Sequence, residues 1–232
     1  MFKKLSPREI KEIERFKIST STIIDILDGL KAGDVLSHQL LPMNSNEHYV
    51  VGQAYTVQWK LVKKGSSIID KQPSTWDQVR QFLVPEIENA EGLIYIAGSG
   101  DLIKHAALAG GMSCTYFQQL GFNAVILGGA VRDRAELNEL TIPVIASNIT
   151  PSDTQGAYYV SETGTSCRIE DSIICTGDLV ICDPNGTVII PFKLIEEVFD
   201  KAIKINDTEN SMLDKIKSGV RLPDLISKTG RI

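Results

Sequence analysis

Arg132 and Asp133 close the run Gly128-Gly129-Ala130-Val131-Arg132-Asp133, which follows the apolar stretch Asn123-Ala124-Val125-Ile126-Leu127 and precedes the helix-patterned Arg134-Ala135-Glu136-Leu137. The order apolar run, glycines, charged pair, helix reads as a strand-to-helix turn, where α/β proteins place binding groups. A guanidinium can grip a carboxylate through two parallel hydrogen bonds, and an adjacent carboxylate is a hard oxygen ligand suited to a magnesium ion that keeps several waters. An anion and a divalent cation can therefore meet at this turn. Both residues also suit a structural role, Arg132 in an ion pair with Asp133 or Glu136 and Asp133 as the cap of the following helix. Upstream, Gly110-Gly111-Met112-Ser113 stands ahead of an apolar helical pattern. A helix start there offers free backbone N–H groups to an anion, and close helix packing is the alternative reason for its glycines. Gly98-Ser99-Gly100 lacks the third glycine of a dinucleotide fingerprint, so nucleotide binding is not expected.

The elements that must position these residues follow from periodicity and end signals. Ser6-Pro7-Arg8-Glu9 is a capping box with proline at the first helical position, followed by Ile10, Ile13 and Phe16 at helical spacing. A second helix begins near residues 19–22 and is expected to stop at Gly33. Residues 50–59 read as a strand and 60–77 as a polar loop leading into a helix over 76–83. Residues 92–97 form an apolar strand covered on both faces. Between Asp101 and Leu120 a helical pattern appears in two pieces, broken at Gly110-Gly111. A strand at 123–127, a turn at 128–133, a helix to about 140 and a strand at 143–146 follow. Beyond Pro151 several short strands run to Ile190, and 192–218 is a helical segment interrupted by the polar residues 206–210. An α/β first part thus gives way to a β-rich second part, without the even βα repeats of a barrel.

Composition narrows the function. The chain has 232 residues, 43% of them hydrophobic, and a formal net charge of −5 from 29 acidic and 24 basic residues. Those values fit a soluble single domain over 1–232, with N-terminal helices at about 6–32 and a C-terminal helical segment at about 192–218. There is no basic stripe for nucleic acid and no apolar run of membrane-spanning length, so a cytoplasmic protein with a small-molecule ligand is expected. Cys114, Cys167, Cys175 and Cys182 show no paired metal-ligand spacing and read as small buried hydrophobes. His38, His48 and His105 form no cluster in sequence.

The order and spacing of several segments resemble the RraA-like family, which contains the regulator of ribonuclease E activity A and 4-hydroxy-4-methyl-2-oxoglutarate aldolases. The matching segments are Ile18-Ser19-Thr20-Ser21-Thr22-Ile23-Ile24-Asp25-Ile26-Leu27-Asp28, Val51-Gly52-Gln53-Ala54-Tyr55-Thr56-Val57, Gly128-Gly129-Ala130-Val131-Arg132-Asp133, Ile142-Pro143-Val144 and the run from Gly177-Asp178 through Asp183-Pro184-Asn185-Gly186 to Pro191. The resemblance implies a three-layer β/β/α, swivelling-domain-like fold, a homotrimer or hexamer, and a site in a cleft between subunits. It also implies that Arg132 binds the pyruvate-like part of a 2-oxo acid and that Asp133 binds magnesium or manganese. The amides of Gly110, Gly111, Met112 and Ser113 would hold the substrate carboxylate, and the metal would act as a Lewis acid on a pyruvate enolate.

One departure bears on the reaction. The family's aldolases carry a Gly-Asp pair at this helix start, whose aspartate moves a proton, and this chain has Gly110-Gly111. Asp101, Lys104 and His105 are the nearby groups that could replace it. A metal-dependent lyase acting by aldol cleavage or by oxaloacetate-type decarboxylation is the leading expectation, since decarboxylation needs no base for a hydroxyl proton. A non-catalytic regulatory protein on the same trimeric scaffold is the alternative.

Overall fold

The structure is a computed structural model that describes residues 3–44, 48–62 and 73–229. The chain opens with α1 (Pro7–Arg15) and α2 (Thr20–Leu30), then the short strands β1 (Asp34–Val35) and β2 (Leu41–Pro42) and the long β3 (Val50–Leu61). The parallel half follows: α3 (Trp76–Val79), β4 (Leu93–Gly98), β5 (Ile103–Ala109), α4 (Gly111–Leu120), β6 (Ala124–Leu127), β7 (Gly129–Val131), α5 (Arg134–Leu137), β8 (Val144–Ala146) and β9 (Asn148–Ile149). An antiparallel half comprises β10 (Tyr158–Thr163), β11 (Ser166–Ile169), β12 (Ser172–Cys175), β13 (Leu179–Asp183) and β14 (Gly186–Ile190). Helices α6 (Ile195–Lys217) and α7 (Leu222–Thr229) close the described chain.

Among the described residues one nine-stranded sheet runs β1-β14-β13-β3-β4-β6-β8-β2, and β10 adds to the far end of β3. Within it β3, β4, β6 and β8 are parallel, with Gln53 opposite Leu93, Ile94 opposite Ala124 and Val125 opposite Val144. A second sheet, β5-β7-β9, is also parallel, and β11 pairs with β12 as a separate hairpin. Strands β4 and β6 are buried at every residue, as a sheet covered on both faces requires. On one face Tyr95 stacks on Phe117 of α4 at 4.2 Å between ring centroids, with Phe122 edge-on at 5.8 Å to Tyr95. The other face packs Ile94, Ile96 and Ile126 against Cys167, Ile169 and Ile174 of the hairpin. A third cluster seats α1, α2 and α6 on β13 and β14 through Ile10, Ile23, Leu27, Ile181 and Val198.

Several expected elements stand, and the departures have physical causes. The capping box at Ser6 is present, with Ser6 Oγ accepting from the Glu9 amide and Glu9 reaching back to the Ser6 amide. Helix α2 ends at Lys31 in the left-handed region (φ 51°) rather than at Gly33. Residues 103–109 form β5, not the first piece of a helix. Their alanine and leucine content favours a helix, but pairing with β7 and burial of Ala106, Ala107, Leu108 and Ala109 override that propensity. The turn at 128–133 contains a strand, β7, so its irregular part shrinks to Gly128, Arg132 and Asp133, and α5 stops at Leu137. Helix α6 runs through 206–210 without a break, tied to α2 by Thr22 Oγ1 donating to Glu209 at 3.3 Å. The loop expected over 60–77 falls partly on 63–72, outside the described residues. No helix among the described residues is long and apolar enough to cross a membrane.

Candidate active site

Three adjacent parallel strands end at one level and deliver three turns to one place. Ala109 pairs with Val131, and Val131 with Ile149. The residues that follow each are Gly110 and α4, Arg132 with Asp133 and α5, and the 150–153 turn that ends in Asp153. The carboxyl ends of parallel strands are where open α/β sheets bind ligands, because helix N-termini and irregular turns converge there.

The turns touch one another directly. Arg132 Nη1 lies 3.0 Å from Asp153 Oδ2, and its Nε lies 3.6 Å from Asp133 Oδ2. Asp133 Oδ2 also accepts the Gly111 amide at 3.0 Å, so this carboxylate sits on the first turn of α4. It does not cap its own helix: Asp133 occupies the N-cap position of α5 in the left-handed region (φ 66°) with no side-chain cap bond. Aspartate tolerates that backbone better than most residues. The glycines are demanded by close approach. A Cβ on Gly110 would lie 2.5 Å from Asp133 Oδ2, and one on Gly111 would lie 2.5 Å from Glu136 Cβ and 3.1 Å from Asp133 Cβ. A larger residue at either position would force Arg132, Asp133 or Glu136 to shift.

At the head of α4 the Gly110 amide is taken by Ser113 Oγ at 2.9 Å and the Gly111 amide by Asp133. The amides of Met112 and Ser113 belong to the first turn, which a helix leaves without intrahelical acceptors. The constellation lines a cavity of about 840 Å3 together with Ala107, Leu108, Tyr116 and the segment from Trp76 to Pro85. A guanidinium has five donors, more than the two flanking carboxylates can engage through one close contact each, and Arg132 lines the cavity.

Of the residues predicted from sequence, Gly110, Met112, Ser113, Arg132 and Asp133 share this cavity, and Gly111 lines an adjoining hollow with Glu136. Asp101, Lys104 and His105 line neither. Lys104 Nζ bonds Gln39, and His105 Nε2 lies 2.9 Å from the Tyr158 hydroxyl. Asp153 and Glu136 are the site residues missed. Asp153 follows Thr150-Pro151-Ser152 with no motif around it, and only the pairing of β9 with β7 brings it to Arg132. Cys114, behind the α4 N-terminus, is no nucleophile, because burial pushes its thiol up to about 12.

Carboxylates of the kind a hard divalent cation takes border the site. Asp133 is shared by the two hollows, with Asp153 on the cavity side and Glu136 on the other, all three exposed, and magnesium characteristically takes one or two such carboxylates while retaining water. No cluster of three or more His, Cys, Asp or Glu positioned to hold a metal occurs among the described residues.

The Aldolase/RraA model of the RraA-like family matches residues 20–189, a span that holds every strand just described except the last residue of β14. This chain belongs to the RraA-like family. Among relatives, DlpA of Legionella pneumophila is 28% identical over 206 residues, 88% of this chain but 31% of that protein. This chain thus spans about a third of DlpA. A Halalkalibacterium halodurans protein is 30% identical over 208 residues, 86% of each chain, and carries the name 4-hydroxy-4-methyl-2-oxoglutarate aldolase provisionally. Among solved structures, Streptomyces coelicolor RraAS2, described as an unusual member of the RNase ES inhibitor RraA protein family, superposes with a TM-score of 0.70 at 20% identity, covering 87% of this chain and 96% of that one. That likeness establishes the mixed α/β fold of the family.

Proposed function

We propose that this protein is a divalent-metal-dependent carbon–carbon lyase acting on a small 2-oxo acid, assembled as a homotrimer or a dimer of trimers. The observation that carries the reading is the Arg132 guanidinium, flanked by Asp133 and Asp153 beside the first turn of α4 at the mouth of a cavity. Arg132 binds the substrate carboxylate through its fork, and the Met112 and Ser113 amides add donors from the helix start. Asp133, with Asp153 or Glu136 and water, would hold the metal, which when bound stabilises negative charge on the substrate's oxo oxygen.

Between the two reactions, decarboxylation asks less of the residues present. The electron pair of the breaking bond moves toward the oxo group as carbon dioxide leaves, and no hydroxyl proton has to be removed. The Gly111 position has no room for a further carboxylate, since Glu136 already abuts it. The test is pyruvate release from oxaloacetate and from 4-hydroxy-4-methyl-2-oxoglutarate with magnesium or manganese, alongside calorimetric titration of metal and oxalate. Expected are metal-dependent decarboxylation above the uncatalysed rate, metal binding weakened in Asp133→Asn, and oxalate binding lost in Arg132→Ala. Turnover indifferent to both substitutions would remove the lyase reading, and light scattering that gives a monomer would remove the assembly.

A further inference from the structure

The same cavity is far larger and more apolar than a three-carbon oxo acid needs. Its charged residues are Arg132, Asp133, Asp153 and Arg80, and the rest of its wall is dominated by Trp76, Val79, Phe82, Leu83, Met112 and Tyr116. A volume of about 840 Å3 lies in the range of pockets that enclose whole drug-sized ligands. Three of those apolar side chains stand open to solvent, Met112 at 87%, Trp76 at 50% and Tyr116 at 37% of full exposure. Large apolar groups gathered at one opening are a standing cost unless something covers them.

The wall is also held in place against local backbone preference. Val84 is completely buried and lies in the left-handed region (φ 48°), directly between Leu83 and Pro85, which both face the cavity. A β-branched residue is seldom found there, and strain of this kind persists only where the surroundings over-determine it. Behind the wall, Phe82 packs on Trp59 at 5.9 Å and edge-on to Phe117 at 6.4 Å between centroids, so the surface facing the cavity rests on the main core. The charge distribution favours one carboxylate in the ligand. Arg132 is already flanked by two acids, and Arg80 is engaged by Asp77 at 3.5 Å.

We propose that the segment from Trp76 to Pro85, with Met112 and Tyr116, is a specificity surface that selects 2-oxo acids bearing a bulky apolar or aromatic substituent over dicarboxylic ones. This rests on the reading of Arg132 as the oxo-acid anchor. The carboxylate and oxo group lie at the Arg132 end, and the substituent covers the exposed apolar wall.

The experiment is calorimetric titration of the full chain, with magnesium present, by pyruvate, phenylpyruvate and 2-oxoglutarate. Burial of a ring on such a wall raises affinity on the order of tenfold to a hundredfold, so phenylpyruvate is expected to bind at least about tenfold tighter than pyruvate. Trp76→Ala and Met112→Ala, at exposed positions that the fold does not depend on, are expected to shrink that ratio several-fold. Two results would overturn the proposal while leaving the oxo-acid anchor intact. One is pyruvate binding that the ring fails to improve, with the alanine variants instead lowering the assembly mass because a second copy of the chain covers the wall. The other is tighter binding of 2-oxoglutarate that is lost in Arg80→Ala. If none of the three acids binds, the anchor reading fails and the specificity surface falls with it.

Discussion

In the antiparallel half of the molecule, Asp183 is buried and receives the Thr20 amide at 2.9 Å, the Thr20 hydroxyl at 2.7 Å, the Asn185 backbone amide at 2.8 Å and the Asn185 side-chain Nδ2 at 3.3 Å. In the parallel half, Asp133 is half-exposed and receives one amide, with a guanidinium alongside. The two aspartates are equally conspicuous in sequence, each set in a glycine-bearing turn. What separates them is how completely the protein satisfies the carboxylate. Asp183 has no lone pair to spare and fastens the start of α2 to the β13–β14 turn. Asp178 is of the same kind, taking the Cys175 and Phe192 amides, although burial still pushes its carboxyl above the usual range against those two bonds. Asp133 keeps acceptor capacity and faces a cavity. A carboxylate that the fold leaves unfinished is one that a ligand can complete.

The contrast can be broken most sharply at Asp183. Asp183→Ala strips four hydrogen bonds from a buried network and is expected to lower unfolding free energy by about 4 kcal/mol, read from chemical denaturation. Asp133→Asn keeps a side chain that tolerates φ 66° and removes only a half-exposed charge, so its cost is expected below about 1 kcal/mol while metal titration suffers. Comparable stability losses in the two variants would erase the distinction. Next in size, Arg132→Lys is expected to lose about 2–5 kcal/mol of oxalate affinity, nearly as much as alanine, because an ammonium has no fork. Normal binding by the lysine variant would show that charge alone suffices at the site.

Gly111→Asp sharpens the parallel side. The added Cβ meets Glu136 Cβ at 2.5 Å, so a stability loss of about 1–3 kcal/mol and no gain in pyruvate release are expected. Faster aldol cleavage in this variant would mean that α5 can retreat and make room. The smallest effect concerns the thiols. Burial holds Cys114 and Cys182 protonated up to about 12, above the ordinary 9.0 of an unfolded thiol. The stability this gives is complete below 9.0 and is lost as pH rises toward 12, so the denaturation midpoint should decline from pH 9 to pH 11. At pH 8 a thiol reagent is expected to modify the exposed Cys175 in the native protein and the other three cysteines only after unfolding.

The parts of this fold written locally were readable in the sequence. The Ser6 capping box, the apolar run of β4 and the glycine-bearing turn before α5 each carry their signal within a few residues. Arg132 and Asp133 were legible for the same reason. What was hidden depends on pairing across the chain. Residues 103–109 have helix-forming composition and become β5 only because β7 lies beside them, and β7 itself hid inside a turn-like run of glycines. Asp153 could not be found without knowing that β9 pairs with β7, since its role comes from register and its neighbours in sequence are ordinary loop residues. The sequence offers Glu136 only as an ion-pair partner for Arg132, and its packing against Gly111 appears only when α4 and α5 are brought together.

Strand β3 carries a consequence for how the chain is made. One of its edges pairs with β4, which follows soon after in sequence, while the other is divided between β13 at Val50–Gln53 and β10 at Val57–Leu61. During synthesis the second edge stays open until the antiparallel half has left the ribosome, presenting an apolar template of unpaired amides and carbonyls. Long-range pairing of that kind also slows folding, because the loop must close before its contacts are rewarded. Nascent chains truncated before β10 should therefore lean on chaperones, and release from them should coincide with the arrival of β13 and β14.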